Sequence, residues 1–138
     1  MVREVASKMA FPIDEIQLSK TEARIGAAFP EGFRLKMMQE NGGEFEIGEE
    51  DWFLYPFLDD SDRKRLSRTA NDIVRETEAA REWRGFPPNG IAIAHNGDGD
   101  YLVFLIDAAK RDMSEEVFRW THENGQLEKI SSTFRDLI

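Results

Sequence analysis

The run Tyr101-Leu102-Val103-Phe104-Leu105-Ile106 is the longest strongly apolar stretch of the chain. Six successive apolar residues predict a central β-strand that is covered on both faces, and they fall far short of the roughly 20 residues that span a bilayer. A second apolar run, residues 91–94, precedes it. Between the two runs lies Asn96-Gly97-Asp98-Gly99-Asp100, whose residue types favour a tight turn. The two runs therefore predict neighbouring strands of one sheet.

Further strand patterns lie on both sides of this pair. Residues 44–47 alternate polar and apolar side chains, and residues 52–55 are aromatic and β-prone. Residues 117–122 and 127–130 flank Asn124-Gly125. Asn-Gly is a strong hairpin signal, because both central residues of the tightest hairpin turn have positive φ. These segments predict a mainly antiparallel sheet.

Helical patterns fill the first half of the chain. Ser19-Lys20-Thr21-Glu22 has the form of a capping box and predicts a helix over residues 20–28. Pro30 suits the start of a second helix, and Asn41-Gly42-Gly43 suits its end. Its apolar stripe comprises Phe33, Met37 and Met38.

Two more helices are expected. The longest begins near Asp62 and ends before Pro87-Pro88. Its packed side is predicted to comprise Leu66, Ala70, Ile73, Thr77 and Ala80, whereas Arg68, Asp72, Arg75, Glu76 and Glu82 face water. Ser131 or Ser132 is predicted to cap a final helix that runs through Phe134 and Leu137. The sequence therefore predicts the α+β class and a single domain over residues 1–138 with helices packed on the sheet, and residues 1–15 are expected to form a loosely ordered extension.

Composition excludes several functional classes. The chain has 138 residues with 18 basic, 27 acidic and two His side chains, a net charge of −9, and no Cys. A disulfide scaffold, a thiol nucleophile and a thiolate metal site are therefore impossible. The negative charge argues against nucleic-acid binding. With no secretory signal pattern at the start, a cytoplasmic location is expected.

One basic run interrupts this acidic character. Arg63-Lys64-Arg65 directly follows Asp59-Asp60-Ser61-Asp62. Basic side chains of this kind can contact a phosphate group, or they can pair with the preceding carboxylates in a salt-bridged helix start. The sequence favours the salt-bridged start and leaves the phosphate contact as the alternative.

The loop of residues 96–100 allows several interpretations. As a calcium loop it would place Asn96, Asp98 and Asp100 at positions 1, 3 and 5, but Tyr101 stands where Gly is needed. As a dinucleotide loop it lacks the third Gly, and as a catalytic pair Asp98 and Asp100 have no recognisable partner. A tight turn is favoured, with an acidic recognition loop as the alternative. A metal site that joins His95 and His122 to Asp98 or Glu123 has no supporting spacing.

Aromatic residues lie beside acidic strings in the middle of the chain. Trp52, Phe53, Tyr55 and Phe57 are flanked by Glu49-Glu50-Asp51 and Asp59-Asp60. Aromatic side chains can anchor an interface to which acidic neighbours steer a basic partner. The simpler interpretation is a core strand with solvated turns on each side. No nucleophile elbow or Walker loop is present, so the sequence offers no positive evidence for catalysis.

Four motifs in order resemble the SUKH superfamily over about residues 16–138. Phe29-Pro30-x-x-Phe33 leading to Asn41-Gly42-Gly43 is similar to its first signature. Gly97-Asp98-Gly99-Asp100 resembles its Gly/Asp turn before an apolar strand. Val117-Phe118-Arg119-Trp120-Thr121-His122-Glu123 and Ser132-Thr133-Phe134-Arg135-Asp136-Leu137 resemble its later strand and closing helix.

The resemblance implies an α+β fold and a non-enzymatic role. Bacterial members of the superfamily are mostly immunity proteins that bind and neutralise a toxin, often a nuclease, and fungal members are regulatory scaffolds. We therefore expect a basic toxin domain as the partner, no nucleic acid or membrane, and no cofactor, metal or catalytic residue. The alternatives are a scaffold for an endogenous protein, or a small-molecule or metal-binding enzyme that uses residues 97–100. The partner contacts expected from charge and predicted exposure are Glu44, Glu46, Trp52, Asp59, Asp60, Asp98 and Asp100.

Overall fold

Seven β-strands and four α-helices occupy residues 10–138, the part of the chain that the computed structural model describes. In order they are α1 (Glu15–Ile25), α2 (Glu31–Gln39), β1 (Gly43–Ile47), β2 (Glu50–Leu54), α3 (Arg63–Arg68), α4 (Ile73–Ala80), β3 (Gly90–His95), β4 (Tyr101–Asp107), β5 (Asp112–Met113), β6 (Val117–Thr121), β7 (Gln126–Ser131) and a 3₁₀ helix (Phe134–Leu137). The predicted α+β class is confirmed. Most of the predicted N-terminal extension lies outside the described residues, but Asp14 and Glu15 already belong to the start of α1.

The strands form one antiparallel sheet in the order β1-β2-β3-β4-β6-β7, and β5 pairs with β4. β4 lies in the middle, between β3 and β6. Leu102, Val103 and Phe104 are fully buried, so side chains on both faces of β4 are covered, as predicted. The short strand β5 was not predicted from the sequence; it is tied to residue Ala28 by an isolated bridge.

Each face of the sheet is covered by different helices. On one side, here called the α2 face, Phe33 of α2 lies with its ring centroid 5.2 Å from Phe104 and 5.0 Å from Phe134. On the other side, Glu76 of α4 interacts electrostatically with Tyr55, His95 and Tyr101. The helix is held beside β3 by the Thr77 hydroxyl, which accepts a 2.9 Å hydrogen bond from the Ala92 N–H. Phe33, Phe104 and Phe134 are buried, and removal of their apolar surface from water stabilises the fold.

The first helix begins earlier than predicted. Asp14 is its N-cap and accepts a 3.0 Å hydrogen bond from the Gln17 N–H. Ser19 therefore lies inside α1 rather than at its cap, and the capping-box prediction is wrong. Glu22 serves a different purpose, because its carboxylate accepts from the Phe29 N–H at 2.8 Å and from the Arg34 guanidinium at 3.1 Å. This contact orders the turn into α2.

The second helix agrees with its prediction. α2 follows Pro30 directly, Phe33 and Met37 are fully buried, and Met38 packs against the core. The chain leaves the helix through Gly42 and Gly43, which have φ values of 126° and 100°. Positive φ is readily adopted by Gly, which explains the Gly pair at this position.

The predicted long helix is wrong, because the chain forms two short helices instead. Asp62 caps α3, and Asp72 caps α4 by accepting a hydrogen bond from the Arg75 N–H at 3.4 Å. Each Asp competes for backbone donors and so begins a new helix. Asp72 is 3% exposed and pairs with Arg24, whereas Leu66 is 45% exposed, the reverse of the predicted packing.

The last hairpin and helix are present with different local geometry. β6 and β7 pair as predicted, but four residues connect them, and only Gly125 of the Asn124-Gly125 pair has positive φ. Thr133, rather than Ser131 or Ser132, caps the 3₁₀ helix by accepting from the Asp136 N–H at 3.3 Å. The prediction that Asn124 and Gly125 form the tightest kind of hairpin turn is therefore wrong. The prediction that Ser131 or Ser132 caps the last helix is also wrong.

Candidate functional site

The β1–β2 hairpin presents acidic side chains on one side of the sheet. In its register Glu44 lies opposite Phe53, and Glu46 lies opposite Asp51. Residues directly opposite in an antiparallel pair project from the same face. The alternate residue Phe45 packs against the Phe134 ring at 5.9 Å, so it belongs to the α2 face. The other four therefore share the opposite face, and we call Glu44, Glu46, Asp51 and Phe53 the hairpin surface.

Charge on the hairpin surface is uncompensated within residues 10–138. Glu44, Glu46 and Asp51 are exposed, and none of them pairs with a cation in this part of the chain. Like charges directly opposite each other destabilise a strand pair. Glu46 and Asp51 therefore repel each other, and a cation that binds between them would reduce this repulsion.

Phe53 adds an apolar contact to this acidic surface. Its side chain is 36% exposed, and its ring centroid lies 5.3 Å from that of His95. His95 in turn stacks on the buried Tyr55 at 5.2 Å. Burial of His95 lowers its pKa. The exposed ring is thus backed by fixed neighbours, which limits the entropy lost on binding.

Trp52 does not belong to this surface, although it was predicted as a partner contact. It is fully buried and projects to the α2 face, since it lies opposite Phe45. The Arg119 guanidinium carbon lies 5.4 Å from its ring. The predicted exposure of Trp52 is therefore wrong, because strand alternation places it on the opposite face from Asp51 and Phe53.

Asp59 and Asp60 lie on the segment between β2 and α3. Asp59 is 4% exposed and accepts hydrogen bonds from the Ser61 N–H and hydroxyl at 3.0 and 2.6 Å, so its predicted exposure is wrong. Asp60 is exposed and pairs with Lys20 at 3.2 Å, and this hydrogen bond lowers the Asp60 pKa. Within residues 10–138, neither carboxylate forms a hydrogen bond or ion pair with the hairpin surface.

Asp100 is the centre of an internal ion cluster. Arg119 donates to Asp100 at 2.8 Å and to Glu50 at 2.7 Å, and His122 Nδ1 lies 2.8 Å from the other Asp100 oxygen. Burial by itself raises the Asp100 pKa, but hydrogen bonds from His122 and Arg119 outweigh it and lower the pKa to about 2. Asp100 is a buried anchor that joins β4 to β6, and its predicted exposure is wrong.

The loop of residues 96–100 is a tight turn. The Asn96 side-chain oxygen accepts hydrogen bonds from the Asp98 and Asp100 N–H groups at 2.9 and 3.3 Å. Gly99 has a φ of 99°, and a Cβ there would lie 3.0 Å from the His122 ring. Asp98 is exposed at the tip. In the described part of the chain, no group of three or more His, Cys, Asp or Glu residues is placed to hold a metal ion.

Two of the seven predicted contacts share the hairpin surface, and the sequence analysis missed two others. Glu44 and Glu46 lie together, whereas Asp60 and Asp98 are exposed on other segments. Asp51 and Phe53 were absent from the predicted set. The two-residue period of a strand could have found them, because it groups Asp51 with Phe53 and separates both from Trp52. Whether these exposed residues bind a partner remains a prediction.

The family of the chain follows from its similarity to known proteins. No helix of residues 10–138 has the length and apolar composition needed to cross a bilayer. A search of curated proteins found no match to the chain. The model of the SMI1 / KNR4 family (SUKH-1) matches residues 12–138, which is nearly the whole sequence and agrees with the resemblance of the four motifs. The chain therefore belongs to the SMI1 / KNR4 family (SUKH-1).

Proposed function

We propose that the protein is a non-enzymatic immunity protein that binds and neutralises a basic toxin domain through the hairpin surface. The observation that carries this proposal is the like-charged couple of Glu46 and Asp51, which pairs with no cation within residues 10–138 and lies beside the exposed ring of Phe53. Lys or Arg side chains of a partner would relieve this repulsion, and Phe53 would supply an apolar contact beside them.

The overall charge supports the same partner chemistry. A net charge of −9 attracts a basic domain over distances comparable to the Debye length. Capture of a toxin must be fast, because the toxin acts while it is free. Electrostatic steering raises association rates by about 10-fold to 1,000-fold, so an acidic surface suits this role.

The proposal is tested with a hairpin variant and a matched control. The hairpin variant carries Glu44→Gln, Glu46→Gln and Asp51→Asn. The control carries Glu78→Gln, Glu123→Gln and Glu128→Gln, which remove the same charge at exposed positions outside the hairpin surface. Each tagged protein is used to capture its partner from lysate of the native cell at low salt, and the captured protein is then expressed alone.

An immunity role predicts a captured protein that is basic and arrests growth when expressed alone. Wild type and the control should restore growth, and the hairpin variant should not; its association rate should fall about tenfold or more at low salt. A non-toxic endogenous partner would instead support a regulatory scaffold. Full protection by the hairpin variant would show that the binding surface lies elsewhere.

A further inference from the structure

The backbone of β1 is paired with another strand on one side only, because β1 is an outer strand of the sheet. The Tyr55 N–H donates to the Ile93 carbonyl at 2.9 Å, so Tyr55, directly after β2, directs its backbone groups towards β3. Successive residues of an antiparallel strand bond to opposite sides. The even-numbered residues of β2 therefore bond towards β1, where Trp52 lies opposite Phe45. Phe45 and its alternate neighbours in β1 are thus the residues that bond to β2.

The backbone groups of Glu44 and Glu46 consequently point away from the sheet. These residues lie opposite Phe53 and Asp51 in pairs that exchange no backbone hydrogen bonds. Within residues 10–138, no hydrogen bond from outside the sheet reaches the N–H or C=O group of either glutamate. Two donors and two acceptors are therefore available to an additional strand, at the same residues that carry the exposed carboxylates.

The two faces of β1 differ in chemical character. Glu44 and Glu46 project to the face of the hairpin surface and are exposed. Phe45 and Ile47 project to the α2 face, where both pack against the core and remain partly exposed. A strand that pairs with β1 places alternate side chains beside each of these two sets. Charge complementarity favours Lys or Arg beside the glutamates, and burial of apolar surface favours apolar residues beside Phe45 and Ile47.

We propose that β1 binds an extended segment of a partner protein in which basic and apolar residues alternate. The segment adds a strand to the sheet, because its backbone bonds to the outward N–H and C=O groups of Glu44 and Glu46, and its basic side chains pair with the two carboxylates. In this mode of binding the backbone bonds provide affinity, and the alternate side chains provide specificity. The inference rests on the proposed function, since it specifies the chemistry of the basic partner and how that partner docks.

The other outer strand, β7, presents charges of both signs. Glu128 and Lys129 are successive residues of β7, and the Lys129 ammonium group pairs with the Glu116 carboxylate at 3.0 Å. A strand with a row of basic residues therefore gains less from β7 than from β1. The amides of β7 thus provide a control within the same molecule.

The test is amide hydrogen exchange of the ¹⁵N-labelled full chain, with and without the peptide Lys-Val-Lys-Val-Lys-Val, which is acetylated and amidated at its ends. At a peptide concentration about ten times its dissociation constant, mass action predicts about tenfold slower exchange of the Glu44 and Glu46 N–H groups. Exchange of the Phe45 N–H, which bonds to β2, and of the β7 amides should change little. The control peptide Lys-Lys-Lys-Val-Val-Val has the same charge and composition, and it should not slow exchange at Glu44 and Glu46.

Glu46→Pro tests the backbone contact, and Glu46→Gln is its matched control. Both variants lack the carboxylate, but only Glu46→Pro also lacks the outward N–H. Proline is tolerated on an outer strand where its missing N–H faces away from the sheet. Loss of one backbone hydrogen bond predicts that the alternating peptide binds about threefold to tenfold more weakly to Glu46→Pro than to Glu46→Gln. Slow exchange of the Phe45 N–H in both variants shows that β1 and β2 remain paired.

Two results would overturn strand addition: unchanged exchange at Glu44 and Glu46 with the alternating peptide, or equal slowing by the control peptide. Neither result contradicts the immunity role, which depends on capture of a toxin and on protection by the hairpin carboxylates. Conversely, slower exchange at Glu44 and Glu46 together with a captured partner that is not toxic would support strand addition and contradict the immunity role.

Discussion

The side-chain amide of Asn41 pairs with both backbone groups of Phe57. Its nitrogen donates to the Phe57 carbonyl at 2.9 Å, and its oxygen accepts from the Phe57 N–H at 2.8 Å. Both residues are buried, so water cannot replace these bonds. Asn41 thereby acts like one residue of an additional strand and fixes the chain that follows β2 against the end of α2. This pairing gives the Asn of the Asn-Gly-Gly motif a structural role.

Asn41→Ala should therefore be strongly destabilising. It leaves a buried donor and a buried acceptor of Phe57 without partners, which predicts a loss of about 2–4 kcal/mol in the free energy of unfolding. Urea denaturation measures this loss. Asn71→Ala is the control, since Asn71 is exposed and should change stability by less than about 0.5 kcal/mol. Equal losses in the two variants would contradict the role of the Asn41 amide.

Asp100 should make the stability of the protein depend on acid pH. Its pKa is lowered from 3.8 in the unfolded chain to about 2 in the folded protein, so the stabilisation is complete above about pH 4 and is lost as pH falls towards 2. In Asp100→Asn this stabilisation should be absent at every pH. The urea midpoint, followed from pH 7 to pH 2, should be lower at neutral pH and fall less steeply below pH 4 than in wild type.

The exposed Asp98 provides the control for that measurement. Asp98→Asn removes one carboxylate from the same loop without touching the ion cluster of Arg119 and His122. Its acid profile should follow that of wild type. If Asp100→Asn also follows wild type between pH 4 and pH 2, the carboxylate does not stabilise the fold as its contacts predict.

Arg111 has a φ of 56°, the only positive φ at a non-glycine position in the described part of the chain. Left-handed backbone costs a residue with a Cβ about 1–2 kcal/mol, and Gly avoids most of this strain at some cost in unfolded-state entropy. Arg111→Gly should raise the free energy of unfolding by about 0.5–1 kcal/mol. Lys110→Gly, at the exposed neighbouring position without positive φ, should lower it. A melting temperature that rises in Arg111→Gly and falls in Lys110→Gly would agree with strain at Arg111. A melting temperature that falls in both variants would contradict it.

Two buried threonines should respond in opposite ways to the same substitution. Among the described residues, 10–138, the buried Thr21 hydroxyl finds no hydrogen-bond partner, whereas the Thr77 hydroxyl accepts from the Ala92 N–H. Thr21→Val should leave stability unchanged or raise it by up to about 1 kcal/mol, because it removes an unsatisfied polar group. Thr77→Val should lower stability by about 1–3 kcal/mol, because it leaves the Ala92 N–H unpaired. Chemical denaturation that ranks the two variants in the reverse order would refute this assignment.

The sequence predicted the sheet better than it predicted the helix ends. The uninterrupted apolar run of β4 and the alternation in β1 are properties of single strands, so they can be identified locally. The break between α3 and α4 depends on tertiary contacts, since Asp72 pairs with Arg24 and the Ile73 N–H donates to the Pro56 carbonyl. Such distant partners leave no trace in a helical period.

The candidate surface was only partly predictable for the same kind of reason. Charge alone groups Asp100 with Asp98. The residues that bond to Asp100 are Arg119 in β6 and His122 just after it, which lie 19 and 22 residues further along the chain. Charge alone also cannot show that Glu46 and Asp51 lie opposite each other, because that pairing depends on the register of β1 and β2. The local pattern therefore identified Glu44 and Glu46. It did not show that Glu46 lies opposite Asp51 and Glu44 opposite Phe53.

The position of β1 at the margin of the sheet gives its carboxylates a second consequence. An outer strand can pair with its equivalent in another molecule and begin aggregation. If two copies of β1 met antiparallel about Phe45, Glu44 of one molecule would lie opposite Glu46 of the other. The resulting repulsion would oppose that pairing at both ends of the strand. The side chains proposed to attract a basic partner would thus also keep identical molecules apart in a crowded cell.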